Sequence, residues 1–84
     1  MNSGVLYYLE NDHLSMEKKI IHLVPYFIQK TKTVPDCVAV NPNQLKGMAT
    51  LEFAVPGVPD MVEVKVVPDK TVMNNHFLIG VEND

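Results

Sequence analysis

The side chains able to do covalent or metal chemistry are few. Histidine occurs at His13, His22 and His76, cysteine only at Cys37, and serine at Ser3 and Ser15. A zinc site needs Cys, His or carboxylate ligands at short characteristic spacings. None of the three histidines has such a partner, and His22 reads as a residue at the boundary of a helix face. A nucleophilic site needs Ser, Thr or Cys beside a base that is itself oriented by an acid. Ser3 stands near the N-terminus, and Ser15 is better placed to cap a helix. Cys37 and His76 would have to meet across adjacent strands, and no motif brings them together. Gly4, Gly47, Gly57 and Gly80 are scattered, so no glycine-rich loop cradles a phosphate. The reading is therefore of a chain with no catalytic, cofactor-binding or metal-ligating residues, and not of an enzyme.

Cys37 lies in the apolar run Cys37-Val38-Ala39-Val40. A lone cysteine in such a run behaves as a small buried hydrophobe, and it cannot close an internal disulfide. That usage places the chain in a reducing cytoplasm. No signal-peptide pattern opens the sequence, and no apolar run reaches the ~20 residues of a membrane-spanning helix. The chain carries seven lysines, no arginine and a net charge of −3. Nucleic-acid recognition draws on basic stripes and on arginine, so nucleic acid is not an expected partner.

The elements that hold these residues follow from hydropathy spacing. Met16, Ile20, Leu23, Val24, Phe27 and Ile28 recur at intervals of three and four, the signature of an amphipathic helix. Ser15 caps it, and Glu17 suits the positive end of its dipole. Pro25 interrupts the helix but not its apolar stripe. The spacing thus predicts one kinked helix from about Ser15 to about Lys30, or two short ones. Cys37–Val40 reads as a buried central strand. Asn41-Pro42-Asn43-Gln44 opens a very short helix, in which Gln44 can reach back to the cap and Gly47 provides the stop. Alternation marks strands around Leu51-Phe53-Val55, Val62-Val64-Val66 and Phe77-Ile79-Val81, with a type II turn at Pro56-Gly57 and a turn at Pro68-Asp69-Lys70. The tripeptide Val-Pro-Asp occurs at 34–36, 58–60 and 67–69. It is strand-entry and turn chemistry rather than a repeat.

The fold class is α+β, with one kinked helix and one very short helix on a small mixed or antiparallel sheet of four to five strands. Residues 15–84 form a single domain, and residues 1–14 an N-terminal arm or edge strand. The core is expected from Ile20, Leu23, Val24 and Phe27 against Val38, Val40, Val62, Val64, Val66, Phe77 and Ile79.

The order from Met16 to Val81 is an apolar helix, then Val34-Pro35-Asp36-Cys37-Val38-Ala39-Val40-Asn41-Pro42, then a short helix through Leu45, then valine-rich strands. The last follows Pro68-Asp69 and reads His76-Phe77-Leu78-Ile79-Gly80-Val81. This order resembles the axial-domain core of tailed-phage major capsid proteins. The resemblance implies a stand-alone relative whose business is assembly, and it carries over no catalytic residue. Those proteins also have a long peripheral domain and an extended arm, for which this sequence of 84 residues has no room.

With 46% apolar residues, so short a chain has little interior in which to hide them. Val5, Leu6, Tyr7, Tyr8 and Leu9 are set off by Glu10-Asn11-Asp12, and tyrosines suit an interface better than a dry core. The sequence therefore points to a small protein–protein interaction or assembly protein, of phage or mobile-element derivation. Its expected partner is another protein or itself, most simply in a homodimer that uses Val5–Leu9. A competing reading has that segment complete the chain's own sheet. An alternative function is an acidic inhibitor or regulator that blocks a host enzyme.

Overall fold

The computed structural model describes residues 3–10 and 13–82. The elements follow as β1 (Ser3–Tyr8), α1 (Met16–Thr31), β2 (Cys37–Val40), a 3-10 turn (Pro42–Gln44), β3 (Thr50–Phe53), β4 (Val62–Pro68) and β5 (His76–Val81). The five strands form one mixed sheet in the order β1-β5-β2-β4-β3. Only the β2–β4 pair is parallel. The other neighbours run antiparallel. The fold is thus α+β, with a helix and a lone 3-10 turn on a five-stranded sheet.

The helix forms where the stripe and the cap agree. The Ser15 hydroxyl accepts from the Lys18 amide at 3.3 Å. At the other end Lys32 turns left-handed at φ 60, and its N–H donates to the Ile28 carbonyl at 2.8 Å. Pro25 lies inside a single helix of 16 residues, so the stripe prevails over the break it would favour. Ile20, Val24 and Phe27 are buried, while Leu23 is half-buried at the margin of the core.

These helix residues cover one sheet face. Alternation gives that face Val38 and Val40 of β2, Leu51 and Phe53 of β3, Val62, Val64 and Val66 of β4, and Phe77 and Ile79 of β5. Burying such branched and aromatic side chains is the main source of stability, at about 1.5–3 kcal/mol for each. β2 sits at the centre of the sheet, as its continuous apolar run requires. The turn from Val55 to Val58 closes with a 3.0 Å backbone bond, and Gly57 takes φ 89 at its third position, which defines type II.

Asn41 caps the 3-10 turn by accepting from the Asn43 amide at 2.9 Å. The expected reach of Gln44 back to that cap is not what the structure shows. Gln44 bonds instead to Asn75, 31 residues away. A 3-10 turn of three residues lacks the full α-helical turn on which the reciprocal cap depends.

Candidate interaction surface

The helix covers only one side of the sheet. The register defines what the other side presents. Across it run two rows of directly paired positions: Gly4, Gly80, Cys37, Lys65 and Thr50 in one, and Leu6, Leu78, Ala39 and Val67 in the next. Tyr8 pairs with His76 one row further on. Toward β3 this face is polar, with Lys65 and the directly opposed Glu52 and Glu63 exposed. Toward β1 it is apolar. Leu6 is 56% exposed and Tyr8 51%.

The segment from Asp69 to Asn75 borders this apolar end. Asp69 folds it locally by accepting from the Thr71 amide at 2.9 Å and the Thr71 hydroxyl at 2.6 Å. Those two bonds stabilise the charged carboxylate and hold its pKa below the usual value. Val72 is buried, and its carbonyl accepts from the Asn41 side chain at 2.9 Å. Between this segment and the sheet lies a cleft of about 290 Å³, floored by Leu6, Leu78 and His76 and walled by Val72 and Met73. His76 is fixed by a 3.0 Å contact between Nδ1 and the Asn74 carbonyl. Its ring lies 4.8 Å from that of Tyr8.

Alternation splits the Val5–Leu9 segment between two environments. Val5 and Tyr7 turn inward and pack against the core, and the Tyr7 ring stacks on Phe77 at 6.0 Å. Burial pushes the Tyr7 phenol pKa up, and its hydroxyl is buried without a hydrogen-bond partner among the described residues. Leu6 and Tyr8 face outward, and Leu9 follows the strand, half-buried. β1 pairs with β5 of its own chain and forms one edge of the sheet, and its second edge pairs with no strand among the described residues. Asn11 and Asp12 of the expected polar turn lie outside the described residues.

The two sheet edges differ in chemistry. β3 carries Glu52, and Pro56 follows closely. Charge and proline are common guards against strand addition. β1 reads Ser-Gly-Val-Leu-Tyr-Tyr and carries neither within the strand, with Glu10 the nearest charged side chain, two residues past its end.

The other reactive side chains do not converge. Cys37 is 3% exposed. Burial raises its pKa, and the nearby Glu82 and Asp36 carboxylates add to the shift. Cys37 pairs with Gly80, four residues beyond His76 on the same strand. At about 3.4 Å per residue the thiol and imidazole rows stand roughly 14 Å apart. They form no dyad. His22 is exposed on α1. Among the described residues no group of three or more His, Cys, Asp or Glu is placed to hold a metal ion, and no helix is long and apolar enough to cross a membrane.

Comparison of the chain with protein-family models, with curated proteins and with solved structures finds no match. The capsid resemblance thus rests on the sequence order alone.

Proposed function

We propose that this chain is a small, non-enzymatic assembly protein that self-associates through the open edge of β1. The observation that carries the proposal is the unguarded edge: six residues with no charge and no proline, bearing two exposed apolar side chains. An unpaired strand edge of this kind is a template for another strand.

The occupant that fits is a second copy in antiparallel register about a two-fold axis. A two-fold axis at Leu6 sets Leu6 against its own counterpart, Val5 against Tyr7 and Gly4 against Tyr8. Each pair joins residues of equal parity, so side chains stay on matching faces. Small residues oppose large ones, which lets the aromatic rings lie over the space beside Gly4 and Val5. The two sheets become one, and the apolar strips around Leu6 and Leu78 join across the axis. Two-fold dimers are also the commonest closed assemblies. The capsid-like element order supports the same reading, since assembly is that family's role. Within this proposal the protein works in a reducing cytoplasm, where an unpaired Cys37 is ordinary.

Light scattering coupled to size exclusion tests the proposal. The full chain runs with the mass of two copies. Leu6→Lys places two like charges on the axis and returns the mass to one copy, whereas Glu52→Lys on the opposite edge leaves the dimer intact. A full chain that stays monomeric at high concentration, or an L6K variant that remains dimeric, overturns the proposed interface.

A further inference from the structure

Another cleft lies where the N-terminus of α1 meets Gln44 of the 3-10 turn, Lys46 and Asn75. Its volume is about 200 Å³. Lys19 lines it and is only 6% exposed, yet its ammonium has no hydrogen bond or ion pair among the described residues. A lysine so buried is almost always paired. Its nitrogen is not sealed in, so the stem is covered and the charge opens on the cleft.

The other groups around Lys19 are donors as well. Ser15 caps the Lys18 amide, and the Lys19 amide donates to the Ser15 carbonyl at 3.0 Å. The Met16 amide, which lines the cleft, precedes the first intrahelical donor, Lys19, and has no acceptor within the helix. The side-chain amides are fixed by one unambiguous bond. The Asn75 backbone N–H must donate, so the oxygen of Gln44 faces it. The Gln44 amide nitrogen then donates to the Asn75 side-chain oxygen at 3.0 Å. Both amide oxygens are thereby engaged within the pair, and the Asn75 amide group keeps two N–H donors with no partner among the described residues. Lys46 supplies a second ammonium at the rim. Glu17 lines an adjoining cleft that shares Ser15, Met16, Gln44 and Lys46 with this one, and is not among the residues lining this one.

We infer that this cleft is a binding site for a phosphate group, either free or as the monoester of a small molecule. The donors come from three parts of the chain that line the cleft, namely the helix end, Lys19 and Asn75. Such a set matches the three terminal oxygens of a tetrahedral dianion better than the two of a planar carboxylate. The helix dipole adds a favourable field at the same place. The sequence offered no glycine-rich phosphate loop. Here the cradle is assembled from residues more than 50 positions apart, from Met16 to Asn75. This inference is independent of the β1 interface.

The test is a titration of the isotope-labelled full chain with inorganic phosphate, followed by amide shifts at constant ionic strength. Chloride is the control, and a parallel titration uses glycerol phosphate. Saturable shifts centred on Met16, Lys19 and Asn75 are expected with phosphate and not with chloride. Tighter binding of the ester assigns the site to a phosphorylated small molecule, and equal binding to the free anion. Lys19→Met preserves the buried stem and weakens binding about tenfold or more, as loss of a charge-assisted bond does. Lys46→Gln, at the exposed rim, weakens it less and serves if K19M does not fold. Shifts that fail to saturate, that chloride reproduces, or that persist unchanged in folded K19M or, failing that, in K46Q, overturn the assignment.

Discussion

Phe77 ties β1 to the rest of the molecule, and its removal has a calculable effect. The side chain is fully buried in β5, directly opposite Tyr7 on one side and Val40 on the other. Truncation to alanine leaves a cavity under α1 and costs about 3–5 kcal/mol. Loss of the stacked Tyr7 contact adds about 0.5–1.5 kcal/mol. The whole chain is stabilised by only about 4–13 kcal/mol at the usual yield per residue. Phe77→Ala therefore removes much of the folded population, and Phe77→Leu, which keeps most of the buried volume, is the variant in which both states remain measurable. Urea unfolding of the parent, Phe77→Leu, Tyr7→Leu and the double variant closes a cycle. The coupling between the two positions should be about 0.5–1.5 kcal/mol. A coupling indistinguishable from zero would show that Tyr7 does not lie on Phe77, and hence that β1 is not docked on β5. A loss below about 1 kcal/mol for Phe77→Ala would remove this residue from the core altogether.

Three further outcomes follow from the structure. Cys37 should resist thiol reagents at neutral pH in the folded chain and react on unfolding, because burial and two neighbouring carboxylates disfavour its thiolate; rapid labelling without denaturant would contradict this burial. Asp69 has a lowered pKa when folded, so its contribution to stability is present above the unfolded carboxylate value and is lost as pH falls through the lower folded one; in Thr71→Ala, proton NMR titration should show the Asp69 pKa move up, and an unchanged value would refute the two-bond account. Glu52 and Glu63 are exposed and directly opposed, so Glu52→Lys should stabilise the sheet by about 0.2–1 kcal/mol in thermal or urea unfolding, less at high salt, and a destabilised variant would argue against the β3–β4 register.

Local pattern carried much of the fold. The spacing of Ile20, Val24 and Phe27 specifies a helix face, and the alternation of Val62, Val64 and Val66 specifies a strand with one face buried. Ser15 and Asn41 act as caps, and Gly57 supplies the left-handed turn position. These are interactions over a few residues, and the sequence displays them directly. The pairing order is different in kind. β1 meets β5 from opposite ends of the chain, and the parallel β2–β4 contact spans a whole connection. Nothing in the period of either strand names its neighbour. Val72 is buried by the Asn41 bond and its loop rather than by any period. Both clefts share this non-local origin. Lys19 reads as polar surface because it is charged and falls outside the stripe of Met16, Ile20, Leu23, Val24, Phe27 and Ile28, whereas the Gln44–Asn75 pair, 31 residues apart, bounds the space around it.

The β1 interface is tested most directly by a cysteine placed on its axis. In the proposed register residue 6 faces its counterpart, at the roughly 4.5–5.5 Å between opposed antiparallel positions. That separation suits a disulfide, which needs about 4.4–6.8 Å between Cα atoms. Leu6→Cys in a Cys37→Ala background should cross-link to a two-copy species under mild oxidation, as read by non-reducing electrophoresis. Glu52→Cys, on the guarded edge, should not. A Leu6→Cys chain that stays a single copy, or equal cross-linking at both edges, would contradict the interface.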